Sequence, residues 1–225
     1  AAYTAVDKAE DEPELCAAVN TAATKNIAAV CRDISCKLIY ISTDYVFAGE
    51  GDRFYEPQDL KGPKNVYGRT KLAGEEAVQA LLEKYFIVRI SWVFGRNGRN
   101  FIKTMLKLSE SHDKLTVVGD QIGSPTYTVD LARLLADMTT SEAYGVYHAT
   151  NEGVCSWAEL AKETFRQAGR RVEVVPVASE AYPTKAHRPK NSRLSKECLS
   201  LAGFARLPAW QDAVKRYLAE LQMER

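Results

Sequence analysis

Two short apolar runs decide the fold: Lys37-Leu-Ile-Tyr-Ile-Ser42 and Phe86-Ile-Val-Arg-Ile-Ser91. Both are rich in large apolar residues and lack a regular apolar/polar alternation, which is typical of strands covered on both faces. Between them, residues 48–64 are rich in Gly, Asp and Pro and predict a loop, after which Asn65 is a suitable N-cap for a helix to about Lys84. The order strand, helix, strand predicts an α/β protein with a parallel sheet and right-handed connections.

The same alternation extends in both directions along the chain. The downstream elements that the sequence predicts are a helix at 101–110, a strand at 115–118, a helix through Leu131 and Leu135, a strand at 145–149, a helix capped by Ser156, a strand at 172–177 and a helix after Pro208. Upstream, helical spacing predicts one buried apolar face, made of Leu15, Ala18, Val19, Ala22, Ala23, Ile27 and Val30. Because ligands bind beyond the carboxyl ends of parallel strands, the segments starting at Thr43 and Trp92 are expected on the ligand side.

The composition excludes several classes of protein. The 225 residues are 46% hydrophobic and 26% charged, with 30 Lys+Arg against 29 Asp+Glu, which indicates a globular chain without general attraction for nucleic acid or anionic lipid. Neither a targeting pattern nor an apolar run of membrane-spanning length occurs, so we expect a cytoplasmic protein. The five scattered cysteines predict reduced thiols, and the three distant histidines predict no metal site.

The pair Tyr67 and Lys71 is the main candidate for chemistry. The two side chains are four residues apart and therefore share one helical face, where an ammonium would favour the phenolate and lower the pKa of the phenol toward neutrality. Such a phenol could act as a general acid or base. The alternative is an exposed helix on which a Tyr and a Lys are merely neighbours, and this is the more frequent case for the isolated pattern. Thr43 changes the balance, because its hydroxyl follows a buried strand and faces the same crevice.

Longer motifs resemble a known family. The segments Ser42-Thr-Asp-Tyr-Val-Phe47 and Asn65-Val-Tyr-Gly-Arg-Thr-Lys-Leu-Ala-Gly-Glu75 closely resemble the extended short-chain dehydrogenase/reductases that act on nucleotide sugars, and within them the dTDP-4-dehydrorhamnose reductase family. The resemblance continues, in order, through residues 1–10, 89–95, 120–126, 188–192 and 207–210. It implies a Rossmann-like, doubly wound parallel sheet and a smaller α/β substrate-binding lobe. We expect residues 1–100 to be the remainder of the NAD(P)-binding domain and residues 101–225 to be mainly the lobe, interleaved with the sheet domain.

The resemblance also implies roles for individual residues. Tyr67 would protonate the substrate carbonyl, Lys71 would bind the nicotinamide ribose, and Thr43 would hydrogen-bond the same carbonyl oxygen. The cofactor groove would be lined by Ala1, Ala2 and Tyr3. The nucleotide sugar would contact Asp44, Trp92 and Arg188, the last through its pyrophosphate. Alternatives stay open for these three: a turn carboxylate for Asp44, core packing for Trp92, and a mobile basic segment for the loop of Arg188.

The implied reaction is the NADPH- or NADH-dependent reduction of the 4-keto group of dTDP-4-dehydro-L-rhamnose to dTDP-L-rhamnose. A homodimer, and Mg²⁺ at its contact, are implied only through relatives. A nucleotide-sugar epimerase or 4,6-dehydratase uses the same Thr, Tyr and Lys, but usually has a different run where this chain has Arg89-Ile-Ser-Trp-Val-Phe-Gly95. A non-catalytic alternative is the regulatory subunit of methionine adenosyltransferase, which resembles these reductases.

A glycine-rich phosphate-binding turn is missing from this sequence, although a dinucleotide-binding fold should begin with one. Since the first βαβ unit takes about 30 residues and is repeated in the mononucleotide half, we expect about 60 residues ahead of Ala1 in a complete enzyme. We therefore expect the 225-residue chain alone to bind the nicotinamide cofactor weakly and to be inactive. The residue that selects NADPH or NADH would also lie outside this sequence.

Overall fold

The computed structural model describes residues 2–223. The helices are α1 (Val6–Ala9), α2 (Pro13–Ala17), α3 (Ala23–Asp33), α4 (Val66–Leu81), α5 (Phe101–Leu108), α6 (Thr128–Thr140), α7 (Trp157–Gln167), α8 (Glu197–Leu201) and α9 (Trp210–Gln222). The strands are β1 (Leu38–Thr43), β2 (Tyr85–Ile90), β3 (Val93–Phe94), β4 (Lys114–Val118), β5 (Ile122–Gly123), β6 (Thr126–Tyr127), β7 (Gly145–His148), β8 (Asn151–Glu152), β9 (Cys155–Ser156), β10 (Glu173–Val177), β11 (Asn191–Ser192) and β12 (Leu207–Ala209).

The central sheet has the order β1-β2-β7, and all three strands are parallel. Successive side chains of a strand point to opposite faces, so both faces need a cover. On one face, Tyr40 and Ile87 pack with residues of α3 and α4. On the other face, Phe86 and Val88 pack with the apolar stripe of α6. Helices on both faces of a parallel sheet confirm the predicted α/β fold and its buried strands.

Smaller sheets surround this unit toward the C-terminus. Strand β10 pairs with β4, β11 and β9 flank β5, β12 pairs with β8, and β3 pairs with β6. Two apolar clusters form here, one between α5, α7 and the β4-β10 pair and one around α9. The proposed division of the chain at residue 100 stays a prediction.

The predicted burial of the first long helical stretch is wrong. The chain forms α2, a π-helical turn over Ala18–Ala22, and α3, and the residues that it buries are Cys16, Asn20, Thr24 and Ala28. Of the predicted apolar face, Leu15, Ile27 and Val30 are 51%, 54% and 57% exposed. The periodicity was real, but the polar face has hydrogen-bonding partners inside the fold and is the one that turns inward.

Among the helices between residues 2 and 223, none combines the length and the apolar character that crossing a bilayer requires.

Candidate active site

A cavity of about 760 Å³ runs along the whole of β1, from Leu38 to Thr43, and reaches the carboxyl ends of β1 and β2. This is the edge at which a parallel α/β sheet binds ligands. The predicted site residues that line it are Ala2, Thr43, Asp44, Tyr67, Lys71 and Trp92. The fold therefore brings together residues that lie up to 90 positions apart in the sequence.

Thr43 ends β1, and its side chain is only 5% exposed. Its hydroxyl donates to Oδ1 of Asp44 at 3.0 Å and accepts from the backbone N–H of Tyr45 at 3.3 Å. The other carboxylate oxygen of Asp44 accepts a hydrogen bond from the hydroxyl of Ser192. Burial raises the pKa of Asp44 to about 6, although both hydrogen bonds favour the ionised form.

Tyr67 lies in the first turn of α4. The helix begins where predicted, because the side chain of Asn65 accepts from the N–H of Gly68 at 2.7 Å. Gly68 lets this turn approach the preceding loop, since a Cβ there would lie 2.3 Å from the carbonyl oxygen of Tyr45. The ring of Tyr45 meets the Tyr67 ring edge-on, with centroids 5.5 Å apart.

Lys71 follows one turn later and is 3% exposed. Its ammonium donates to the carbonyl oxygen of Ile41 at 2.7 Å and lies 3.9 Å above the centre of the Tyr40 ring. Burial lowers the pKa of Lys71 to about 8, while the nearby Glu75 carboxylate opposes this change.

The prediction of a lowered pKa for Tyr67 is wrong for this geometry. Burial raises the pKa of the phenol, and the Asp44 charge adds to the increase, whereas the hydrogen bond with Thr43 only partly opposes it. The sequence did not reveal that Tyr67 is buried. In addition, the Lys71 ammonium interacts with the carbonyl oxygen of Ile41 and with the Tyr40 ring. A phenol with a raised pKa keeps its proton at neutral pH, but it is a weaker acid than a phenol whose pKa lies near the working pH.

The predicted sugar contact Trp92 lies between this cavity and a second, apolar cavity of about 400 Å³. Its indole stacks on that of Trp157, with ring centroids 3.8 Å apart. Arg188 lines the second cavity, where its guanidinium donates to the hydroxyl of Tyr45 at 3.0 Å and forms an ion pair with Asp7. Arg188 is therefore anchored on Asp7 and on Tyr45, and Tyr45 also lines the first cavity.

The predicted cofactor segment is held by a buried asparagine. The side chain of Asn20 accepts from the N–H of Tyr3 at 2.8 Å and donates to its carbonyl oxygen at 3.1 Å. Ala2 lines the larger cavity, whereas the hydroxyl of Tyr3 donates to Glu12 at 2.6 Å. Ala1 lies outside the described residues.

Sequence reasoning missed three contributors. Tyr45 and Trp157 line both cavities, and Ser192 holds Asp44. Tyr45 directly follows the Thr43-Asp44 pair, which was a usable signal. Ser192 lies in the segment 188–192 that carries the family resemblance, but no local signal marks Trp157, which comes close to the site only through the tertiary fold. Within the described part of the chain, no group of three or more His, Cys, Asp or Glu side chains is arranged to hold a metal ion.

The parallel sheet together with the threonine, tyrosine and lysine at its carboxyl edge defines the class of the short-chain dehydrogenase/reductases. Comparisons with known proteins place the chain more narrowly. Residues 1–223 match the family model described as the RmlD substrate binding domain. The dTDP-4-dehydrorhamnose reductase of Escherichia coli is 41% identical over 98% of this chain and 78% of its own length.

Solved structures agree with this assignment. A dTDP-4-dehydrorhamnose reductase from Clostridium acetobutylicum superimposes with a TM-score of 0.96 at 43% identity, covering 99% of this chain and 79% of that one. The enzyme from Bacillus anthracis, solved in complex with NADP, superimposes with a TM-score of 0.94 at 43% identity, covering 97% and 78%. The chain belongs to the dTDP-4-dehydrorhamnose reductase family.

Proposed function

We propose that this protein reduces the 4-keto group of dTDP-4-dehydro-L-rhamnose to a hydroxyl, which yields dTDP-L-rhamnose, with NADPH or NADH as the reductant. The observation that carries the proposal is the meeting of Thr43, Tyr67 and Lys71 in one crevice, in a chain 41% identical to a reductase of that name.

The crevice suits the nicotinamide and ribose half of the cofactor. The Lys71 ammonium and the Tyr67 phenol supply donors, and the hydroxyl of Ser42, which also lines the crevice, is buried without a hydrogen-bond partner among residues 2–223. Such an orphaned hydroxyl is normally satisfied by a ligand or water. When bound, the nicotinamide supplies a hydride to the carbonyl carbon.

The protein groups supply the proton and the orientation. Tyr67 gives its phenolic proton to the carbonyl oxygen, and the phenol is protonated at neutral pH because burial raises its pKa. Thr43 orients the same oxygen through a hydrogen bond. Lys71 remains largely protonated near pH 7, because its pKa of about 8 still lies above that pH, and it binds the ribose hydroxyls.

The remaining contacts are to the nucleotide sugar. Trp92 offers an apolar platform in the crevice, and Asp44 lines the same crevice. Arg188 supplies a guanidinium for the pyrophosphate from the side of the second cavity. The homodimer and its Mg²⁺ stay predictions from relatives.

The 225 residues include no glycine-rich turn, which is the element that binds the cofactor pyrophosphate in this class. We therefore expect the chain, taken by itself, to bind NADPH weakly and to turn over slowly or not at all. A dissociation constant in the micromolar range, measured by titration of this chain with NADPH, would contradict that expectation.

The test of the proposed function is the oxidation of NADPH by the full-length protein in the presence of the 4-keto sugar, with product identified by mass. Tyr67→Phe should lower kcat by about 10²- to 10⁴-fold, because the acid is lost while the ring remains. Tyr85→Phe, at the amino end of β2, is the matched control and should leave kcat unchanged. Turnover of Tyr67→Phe within a few-fold of the unmodified protein would refute the assigned acid, and an absence of sugar reduction would refute the function.

A further inference from the structure

The position of the Trp92 indole is fixed by its own backbone and by neighbouring residues. The backbone of Trp92 has a φ of +50°, a left-handed conformation that is costly for a residue with a Cβ and persists only where the surroundings enforce it. Thr126 enforces it here, since its N–H donates to the carbonyl oxygen of Trp92 at 3.2 Å and its hydroxyl donates to that of Ser91 at 2.6 Å. The backbone therefore directs the Trp92 side chain toward the boundary of the two cavities.

The second indole, Trp157, is fixed independently of Trp92. It is the first residue of α7, whose start is set by the capping box of Ser156 and Glu159. The indole N–H donates to Oε1 of Gln121 at 3.1 Å, and the centroid of the Phe101 ring lies 4.7 Å from that of the indole. Trp157 is thus a rigid plane against which the Trp92 ring stacks at 3.8 Å, with 16° between the planes.

Gly123 supports the Trp92 ring. A Cβ at this position would lie 3.0 Å from two atoms of the indole and 2.9 Å from the Cβ of Ser192. Gly123 and Trp157 belong to the same small unit, because β5 carries Gly123, pairs with β9 directly before Trp157, and pairs with β11 on its other side. This unit of the substrate lobe therefore sets the position of a side chain in the catalytic crevice.

From these contacts we propose that Trp157 and Gly123 are positioning residues for Trp92. They fix the Trp92 indole at the boundary of the two cavities, where it contacts the nucleotide sugar that extends from one cavity into the other. The inference rests on the proposed function. Trp157 provides the stacking plane and Gly123 leaves the space that the Trp92 ring occupies. Neither residue supplies the acid or the lysine, so a substitution at either should affect the binding of the sugar more than that of the cofactor.

The kinetic test compares variants of the full-length enzyme. Trp157→Leu removes the plane and should raise KM for the 4-keto sugar at least tenfold, with KM for NADPH unchanged within twofold. Trp157→Phe keeps a plane and should restore KM for the sugar to within about threefold of the unmodified enzyme. Gly123→Ala should raise KM for the sugar in the same direction, since it displaces the Trp92 ring. Lys162→Ala, on the exposed surface of α7, is the control and should change neither constant.

A spectroscopic readout separates positioning from general damage to the fold. Two stacked indoles give a coupled near-ultraviolet circular dichroism signal, and Trp157→Leu and Trp92→Leu should each abolish the same signal, while Trp210 remains in the core of both variants. The affinity for dTDP, measured by titration without turnover, should fall in Trp157→Leu. An unchanged sugar KM and dTDP affinity in a folded Trp157→Leu protein, or equal losses for sugar and NADPH, would overturn the proposal. Failure of the unmodified enzyme to reduce the sugar would overturn only the proposed function, because the dichroism and the dTDP affinity do not depend on it.

Discussion

Two helical segments pack on the same face of the central sheet, and they differ in what they bury. Helix α4 packs with Val78 on Tyr40 and Ile87. The segment from α2 to α3 instead buries Cys16, Asn20, Thr24 and Ala28 and leaves Leu15, Ile27 and Val30 more than half exposed.

The exposure of Leu15, Ile27 and Val30 applies to the 225 residues given, which span 78% of the length of the Escherichia coli reductase. Both segments bury polar groups, and each group has a partner. In α4, Glu75 forms a bidentate pair with Arg89, with N–O distances of 2.9 and 2.6 Å, and both side chains are 2% exposed. In the π-helical turn, Asn20 binds the backbone of Tyr3 and the hydroxyl of Thr70.

The largest expected effect concerns the buried charges of α4. Glu75→Gln should lower the free energy of unfolding by about 3–5 kcal/mol, because it leaves Arg89 buried without its counter-charge. Urea denaturation followed by circular dichroism measures this. Glu76→Gln, on the exposed side of the same helix, is the control. Equal small changes for the two variants would show that the Arg89 pair does not hold α4 on the sheet.

The corresponding loss of unfolding free energy in the segment from α2 to α3 should be smaller. Asn20→Ala removes the partner of both backbone groups of Tyr3 and should cost about 1–3 kcal/mol of unfolding free energy. Asn26→Ala, two turns later and exposed, should cost little. If both substitutions have the same effect, the burial of Asn20 does not stabilise this segment.

A buried histidine beside the Arg89 pair predicts a dependence on pH. Burial, together with the Arg89 charge, lowers the pKa of His148 to about 3, and the ring is fully buried. The unfolded chain takes up a proton near pH 6.5, so it binds more protons than the folded state below that pH, and stability falls as the pH decreases. Between pH 6.5 and 5 this amounts to about 1.6 kcal/mol.

The measurement compares urea midpoints at these two pH values. His148→Gln should lose this part of the pH dependence even if its overall stability is lower. His112→Gln, an exposed histidine, should keep it. An unchanged slope with pH in the folded His148→Gln variant would contradict the assignment.

The sequence was sufficient for those features that depend on local pattern and on topology. The strands β1 and β2, the cap at Asn65 and the meeting of Thr43 with Tyr67 and Lys71 all follow from periodicity and from the common edge of parallel strands. Features that depend on tertiary contacts could not be predicted from the sequence. The raised pKa of Tyr67 depends on burial, and the Trp157 plane comes from 65 residues beyond Trp92. The inward face of the N-terminal segment depends on partners for Asn20 that no periodicity reveals.

The smallest expected effect tests the exposed face directly. Ile27→Lys should change the free energy of unfolding by less than about 0.5 kcal/mol, because a side chain that is 54% exposed tolerates a solvated ammonium at its end. The next residue of α3, Ala28, is fully buried against α4 and the sheet. Ala28→Lys should therefore lower the free energy of unfolding several times more than Ile27→Lys does. Two adjacent residues thus compare the two faces of one helix under identical conditions. A loss above about 2 kcal/mol for Ile27→Lys would show that the apolar face is covered in solution, and that periodicity had identified a buried surface after all.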